Sequence, residues 1–355
     1  MNFLALSTHG HGSAVTLLDN SSVLFAIEEE KLNRLQDSLD VPRLALARCL
    51  SENHLQLSDC RAIAIAEPHT GASISSSRAK RRAPTAADDE LRQLLRGGPR
   101  PLHFAHHLCH AASAYYTSGL DHALILSLDE GVASQSGLVA LGDEDDIRTL
   151  QPLKFPDSLG WFYSRVTELL GLRARRDEHK LQWLSKDGEP EFLPAFRRLF
   201  NWRSSGLPAL NRRYFATGPD RLGLLSPAFY RELGLSPRNL NLTTQIRANL
   251  ARSAQEYLEE IVLQVASRFQ ETTGAHSLCL AGGVFQNVLL VRALEDSGLF
   301  NHVYVQPVAG NAGTSLGAAY LSRKKVTGRS SRGLLPSLSL GIPSNSQDVK
   351  AVLDN

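Results

Sequence analysis

The sequence predicts an α/β protein assembled from two copies of one unit, and three observations carry that expectation. Three short apolar strands followed by a helix open the chain, and the same order returns after residue 121. A helix bearing histidines four residues apart separates the two openings. Two strand–glycine turn–helix passages then follow the second opening, as in α/β folds. A repeated β-β-β-α opening suggests a duplicated RNase-H-like unit, the sugar-kinase/actin/Hsp70 (ASKHA) type of fold. Residues 1–120 are expected to form the first RNase-H-like subdomain. Residues 121–330 form the second, with a helical insertion at about 187–240, and 331–355 read as a linker-like tail.

Each element has its own signal. An apolar strand at 2–7 runs into Ser7-Thr-His-Gly-His-Gly12, a turn rich in glycine. Strands follow at Ser13–Leu18 and Val23–Ile27, joined through Asp19-Asn20-Ser21-Ser22, whose short polar side chains favour turns. A helix is expected near Pro42–Leu50 and a strand at Ala62–Ala66. From Glu67 to Arg100 the chain is rich in Ser, Ala and Arg, including Arg78-Ala-Lys-Arg-Arg82. This reads as a solvated loop with a short helix around Asp88–Leu95 rather than as a nucleic-acid site. The second copy places strands at Ala123–Leu128, Ser136–Leu141 and Ile147–Leu153, then a helix at Ser158–Leu172. Asn241–Gln270 is a long amphipathic helix capped at Asn241 or Thr243. Strands at Ser277–Leu280 and Val303–Val305 each lead into a glycine turn and a helix, and the last twenty-odd residues read as loop.

With 355 residues, 43% hydrophobic and 21% charged, the chain has the size for two domains and the composition of a globular protein. A net charge of +2 argues against nucleic acid or a membrane surface as partner. No apolar run approaches a membrane span, and the N-terminus lacks the marks of a signal peptide, so a cytoplasmic location is expected. Cys49, Cys60, Cys109 and Cys279 form no CxxC pair and fit reduced thiols. Cys109 reads as a buried helix thiol.

Chemistry concentrates at Phe104–Ser113. On a helix, His106 and His110 project from one face about a turn apart and can take adjacent corners of one metal's coordination sphere. The strand Ala123–Leu128 delivers Asp129 at its end. Two imidazoles and a carboxylate leave positions open for a substrate. Gly282 and Gly283 let backbone approach a phosphate or adenosine, and the helix behind offers free N–H groups to an anion. Gly310 and Gly313 repeat that chemistry. In the charge run Glu28–Arg34, Glu29 or Glu30 is a candidate for organising the cleft. His11, in the first glycine turn, is placed to take a proton from a substrate hydroxyl.

Six motifs in order then resemble a known family. They are His11-Gly-Ser-Ala14, Ala26-Ile-Glu-Glu-Glu-Lys31, His106-His-Leu-Cys-His-Ala-Ala-Ser113, Phe155-Pro-Asp-Ser-Leu-Gly160, Leu278–Asn287 and Gln306–Gly313. From about residue 3 to 323 the chain is similar to the O-carbamoyltransferases of nodulation-factor and antibiotic biosynthesis. The resemblance implies a two-domain enzyme. A YrdC-like C-terminal domain makes carbamoyladenylate from ATP and carbamoyl phosphate, and a Kae1-like N-terminal domain passes the carbamoyl group to a hydroxyl. The chain corresponds to the N-terminal domain, so a separate YrdC-like protein is the expected source of adenylate, and a small-molecule alcohol of secondary metabolism the expected acceptor. By the same resemblance His106, His110, Asp129 and Asn311 would hold a divalent metal, iron by analogy, and His11 would be the base. Lys180, Gly282, Gly283, Asn287, Gly310 and Gly313 would hold the adenylate.

Four positions depart from the family pattern. The first turn reads His11-Gly12 in place of His-Asp, and the strand carries Asp129-Glu130-Gly131 in place of Asp-Gly. The lysine segment is Lys180-Leu-Gln-Trp183-Leu in place of Lys-x-Met-Gly-Leu, and Asn311 replaces an aspartate. An indole at 183 is expected to fill volume beside the nucleotide, and a neutral amide at 311 is a poorer partner for a cation. Two alternatives to carbamoyl transfer follow: a repurposed acyl- or adenylate-handling enzyme on the same scaffold, or a non-catalytic partner subunit.

Overall fold

A computed structural model describes residues 1–8, 12–20, 22–36, 38–39, 41–67, 86–132, 134–215, 225–236, 242–330, 332–335, 337–342 and 346–354. The chain begins with strands β1 (Asn2–Ser7), β2 (Ala14–Leu18) and β3 (Val23–Glu28), a short helix α1 (Glu30–Asn33), α2 (Arg43–Glu52) and β4 (Cys60–Glu67). Helix α3 (Ala86–Leu94), β5 (Leu102–Ala105) and α4 (His106–Tyr115) complete the first half. The second half opens with β6 (His122–Val132), β7 (Gln135–Asp143), β8 (Asp146–Lys154) and α5 (Leu159–Leu169). Then come α6 (Glu178–Leu184), α7 (Leu193–Phe196), β9 (Phe200–Trp202), β10 (Pro208–Leu210) and α8 (Pro227–Glu232). Helix α9 (Thr244–Thr273), β11 (Ser277–Ala281), α10 (Val288–Asp296), β12 (His302–Val305), α11 (Gly313–Thr327) and α12 (Ser346–Leu353) follow.

The two large sheets have one topology. In the first, the order is β3-β2-β1-β4-β5, with β1–β3 an antiparallel meander and β4 and β5 added in parallel. In the second, β8-β7-β6-β11-β12 repeats the same order and directions. This is the duplicated ASKHA arrangement. The strands that gain parallel neighbours are buried throughout, as sheets covered on both faces require.

The last helix of each half packs against the other half's sheet. α4 lies on β6, β7 and β11, whereas α11 lies on β1, β2 and β4, and the two helices cross between the sheets. Small side chains permit the crossing: Ala111, Ala112, Ser113 and Ala114 on α4 meet Gly317, Ala318 and Ala319 on α11. At Gly317 the approach is so close that a Cβ would stand 1.8 Å from the carbonyl oxygen of Cys109. Separate apolar cores fill the outer faces, one between the first sheet and α2 and α3, the other between the second sheet and α5 and α9. All four cysteines are buried free thiols, and burial pushes the Cys109 thiol well up. Among the described residues no helix is long and apolar enough to cross a membrane.

Several expectations are corrected. The insertion at 187–240 is not purely helical, because short helices α7 and α8 flank the antiparallel hairpin β9–β10. Strand β6 does not stop at Leu128 but continues to Val132, with its register against β7 broken between Leu128 and Val132. The tail is not all loop: α12 closes it, and before that Leu340 accepts a hydrogen bond from the Ala26 N–H on β3 while Gly333 donates to Tyr116. Strand β5 and helix α6 were not expected at all. Thr243 is the cap of α9, accepting from the Ile246 N–H; Asn241 lies outside the described residues, as do Arg78–Arg82.

Candidate metal centre and cleft

Local geometry brings three side chains to one point. β5 turns into α4 at Ala105–His106 without a loop, so both histidines sit on the first turns of a buried helix. β6 runs beside α4, in register with β11 up to the Ser127–Ala281 pair, and then bulges. Ser158 fixes the bulge. Its hydroxyl accepts from the Trp161 N–H at 3.0 Å, capping α5, and donates to the carbonyls of Asp129 and Glu130 at 3.1 and 2.5 Å. Gly160 allows the fit, since a Cβ there would stand 2.5 Å from the Glu130 nitrogen. The Phe155–Gly160 motif is therefore the clamp that aims Asp129.

The result is a triangle of ligand atoms. His106 Nε2 and His110 Nε2 are 3.1 Å apart, and Asp129 Oδ2 lies 3.5 Å from the first and 3.3 Å from the second. Ligands about 2.0–2.1 Å from a tetrahedral ion stand about 3.3 Å apart, and around an octahedral ion about 2.9–3.0 Å apart. The triangle therefore has the size of one face of a coordination polyhedron. These are the only three His, Cys, Asp or Glu side chains so grouped among the described residues. Asp129 Oδ2 is buried with no hydrogen-bond partner while Oδ1 accepts from the Glu130 N–H at 2.7 Å, so one oxygen is anchored and the other presented. An orphaned buried carboxylate oxygen facing two imidazoles is what a cation would complete. Burial pushes the Asp129 carboxyl up, but the two histidines outweigh it and hold it well below the usual range. His107, on the next position of α4, reaches Ser127 Oγ through Nδ1 at 3.3 Å; burial, then His106 and His110, keep it neutral.

The triangle opens into a cleft of about 310 Å³. Asp129, Glu130 and Gly283 line one side, and Arg175, Arg176 and His179 another. Arg175 Nε donates to Glu130 Oε2 at 2.6 Å, and Arg176 reaches Gln36 of the first half at 2.7 Å. Burial raises the Glu130 carboxyl pKa, with Arg175 and Arg165 opposing. The sequence reading gave no role to Arg175, Arg176 or Ser158. The arginines lie in a charge run of the kind normally solvated, and a serine before a helix signals only a cap.

The other predicted residues scatter. Gly283 faces the site, since its missing Cβ would lie 3.1 Å from Asp129 Oδ1. Gly310 sits against Gln286 of the same turn. Gly282, with φ 98, and Gly313 make room instead for the backbone of Leu128 and Val308. Residues 283–286 form a 3-10 turn before α10, which Asn287 caps by accepting from the Leu290 N–H, with its side chain locked to Gln255. Asn311 is beside Gly12: a Cβ on Gly12 would be 3.4 Å from that of Asn311 and 3.1 Å from the Ala312 nitrogen. Glu29 is buried away in another role, accepting from the Leu44 and Ala45 N–H groups at the start of α2. Glu30 pairs with Lys31 at 2.7 Å. Lys180, 42% exposed, pairs with Asp177 and is not among the cleft-lining residues. Trp183 does not fill the cleft: it is 64% exposed and packs edge-on against His179. His11 lies outside the described residues.

Residues 86–320 match the family described as carbamoyltransferase N-terminus. The nodulation protein NolNO of Sinorhizobium fredii is 35% identical over 327 residues, spanning 89% of this chain and 46% of that protein. The chain spans about half the length of the curated relatives it matches. Among solved structures, full-length HypF in its phosphate- and nucleotide-bound form has a TM-score of 0.54 at 13% identity, covering 91% of this chain and 46% of that one. The activator of 2-hydroxyisocaproyl-CoA dehydratase from Clostridium difficile, with bound ADPNP, has a TM-score of 0.51 at 13% identity, covering 92% and 96%. At that identity the two structures speak for the fold alone.

Proposed function

The chain belongs to the carbamoyltransferase N-terminus family, and on that premise we propose that it moves a carbamoyl group from carbamoyladenylate to a hydroxyl of a small-molecule acceptor. The observation that carries the reading is the His106–His110–Asp129 triangle opening into a cleft with a glycine turn at its wall. We take residues 1–120 and 121–330 as the two subdomains, and a separate YrdC-like protein as the source of adenylate. His106, His110 and Asp129 hold the metal, taken as iron, with Asn311 as a neutral fourth partner. When bound, the metal supplies a Lewis acid for phosphate oxygens of the adenylate. Gly283 and Gly310 leave room for the nucleotide backbone, Gly282, Gly313 and Asn287 shape the turns beneath it, and Lys180 offers a cation at the rim. In the transfer, the acceptor oxygen bonds to the carbamoyl carbon, its proton passes to the His11 imidazole, and AMP leaves with the electron pair of the broken C–O bond.

The test combines metal-loaded protein, a YrdC-like enzyme, ATP, carbamoyl phosphate and a panel of alcohols, followed by mass spectrometry. Carbamate and AMP should appear in equal amounts and vanish in His106→Ala and His110→Ala, which should also lose stoichiometric metal. Metal-loaded protein that gives no carbamate across a broad panel refutes the reading. The contact of Gly12 with Asn311, two positions that both depart from the family pattern, favours a second reading in which the scaffold handles another acyl adenylate. Calorimetry separates the two: tight binding of AMP and ATP without any carbamate product would favour the second.

A further inference from the structure

Glu130 is a charged group of the cleft that neither the fold nor the proposed transfer uses. It follows Asp129 at the β6 bulge and is 16% exposed. One oxygen, Oε2, is held by Arg175 at 2.6 Å; the other, Oε1, is buried with no hydrogen-bond partner. A buried carboxylate oxygen without a donor is unfavourable unless a bound molecule supplies one. Nearby Arg165, stacked 4.7 Å over Trp161, likewise has a buried Nε with no partner. The arrangement is held in place rather than slack. Arg175 takes a left-handed backbone with φ 66, rare outside glycine, and its N–H is tied to Glu178 Oε1 at 2.6 Å. Its side chain is 56% exposed, so it covers the carboxylate from the solvent side and can be displaced.

We propose that Glu130 is a specificity-determining residue, its Oε1 receiving a hydrogen bond from an ammonium or hydroxyl group on the carbon beside the reacting hydroxyl. The acceptor class is then a vicinal amino alcohol or diol, with the cationic form preferred because its hydrogen bond to a carboxylate is charge-assisted. This rests on the carbamoyl-transfer reading for the identity of the reaction, but the binding preference stands apart from it. The test measures equilibrium binding of cyclohexanol, trans-1,2-cyclohexanediol and trans-2-aminocyclohexanol to metal-loaded protein by ligand-observed NMR. Wild type should bind the amino alcohol about tenfold more tightly than cyclohexanol, with the diol between. Glu130→Gln, whose amide oxygen still accepts from Arg175, should keep its unfolding midpoint and reduce that ratio to less than about threefold. Equal affinity for the three ligands in wild type, no binding of any, or an undiminished ratio in Glu130→Gln overturns the proposal. The wild-type ratio alone decides the matter if the variant fails to fold. Carbamate formation is scored separately on the same ligands. Preference without product would refute carbamoyl transfer and leave Glu130's role standing, and product without preference would do the reverse.

Discussion

Gly317→Ala is expected to reach the histidine pair without touching it. The added Cβ would stand 1.8 Å from the Cys109 carbonyl oxygen, whereas ordinary contact begins at 3.4 Å, so α4 and α11 must separate locally by about 1.6 Å. Cys109 precedes His110, whose Nε2 is 3.3 Å from Asp129 Oδ2. A displacement of that size is about half an edge of the triangle, more than a coordination face tolerates. Overpacking of this kind costs about 2–3 kcal/mol. With an unfolding entropy of about 2.1 cal/mol/K per residue, that lowers Tm by about 3–4 °C. Differential scanning calorimetry reads the stability and chelator competition the metal affinity, which should fall at least about tenfold. Gly333→Ala, where a Cβ meets nothing within 4 Å, is the control and should stay within about 0.5 kcal/mol. A Gly317→Ala protein with wild-type Tm and metal affinity would refute the close crossing and its link to the site.

Glu29→Gln removes a carboxylate that caps α2 and should cost about 1 kcal/mol in chemical denaturation with metal content unchanged; lost metal would place Glu29 in the cleft instead. Ser158→Ala should cost about as much from the lost cap of α5, and it should also weaken metal binding measured by chelator competition, because the Asp129 bulge loses its clamp. His107 gives a pH dependence. Its folded pKa is depressed by burial, so the unfolded chain binds the extra proton, and stability present above about pH 6.5 is lost as pH falls. That contributes a slope of about 1.4 kcal/mol per pH unit below the unfolded pKa. His107→Gln should flatten the stability–pH curve by that amount, and an unchanged curve would show that His107 is not held neutral.

The histidine pair, Asp129 and the duplicated order were legible because each rests on local spacing: four residues on a helix, an apolar run before a carboxylate, a strand order repeated once. What was illegible depends on where chains meet. Strand β5 has four residues and runs straight into a helix, so periodicity had no room to show it. Glu29 stands in a charge run that reads as solvated or as cleft, yet it caps a helix fourteen residues on, a partner that only folding supplies. Helix α6 is too short to reveal which face is buried, so the outward turn of Trp183 could not be foreseen. The arginines of the cleft wall acquire meaning only once Glu130 and Gln36 are brought opposite them.

The crossing of α4 and α11 makes sequence halves and spatial halves different objects. A chain cut near residue 120 would carry α4 away from β6 and β11, the strands it covers, and leave β1, β2 and β4 bare where α11 belongs. Each fragment would expose an apolar sheet face and would call for the other to cover it, so complementation by two co-expressed fragments is a more natural outcome than two independent folds. The same interlacing puts both metal-side histidines on an element that one half encodes and the other half's sheet supports.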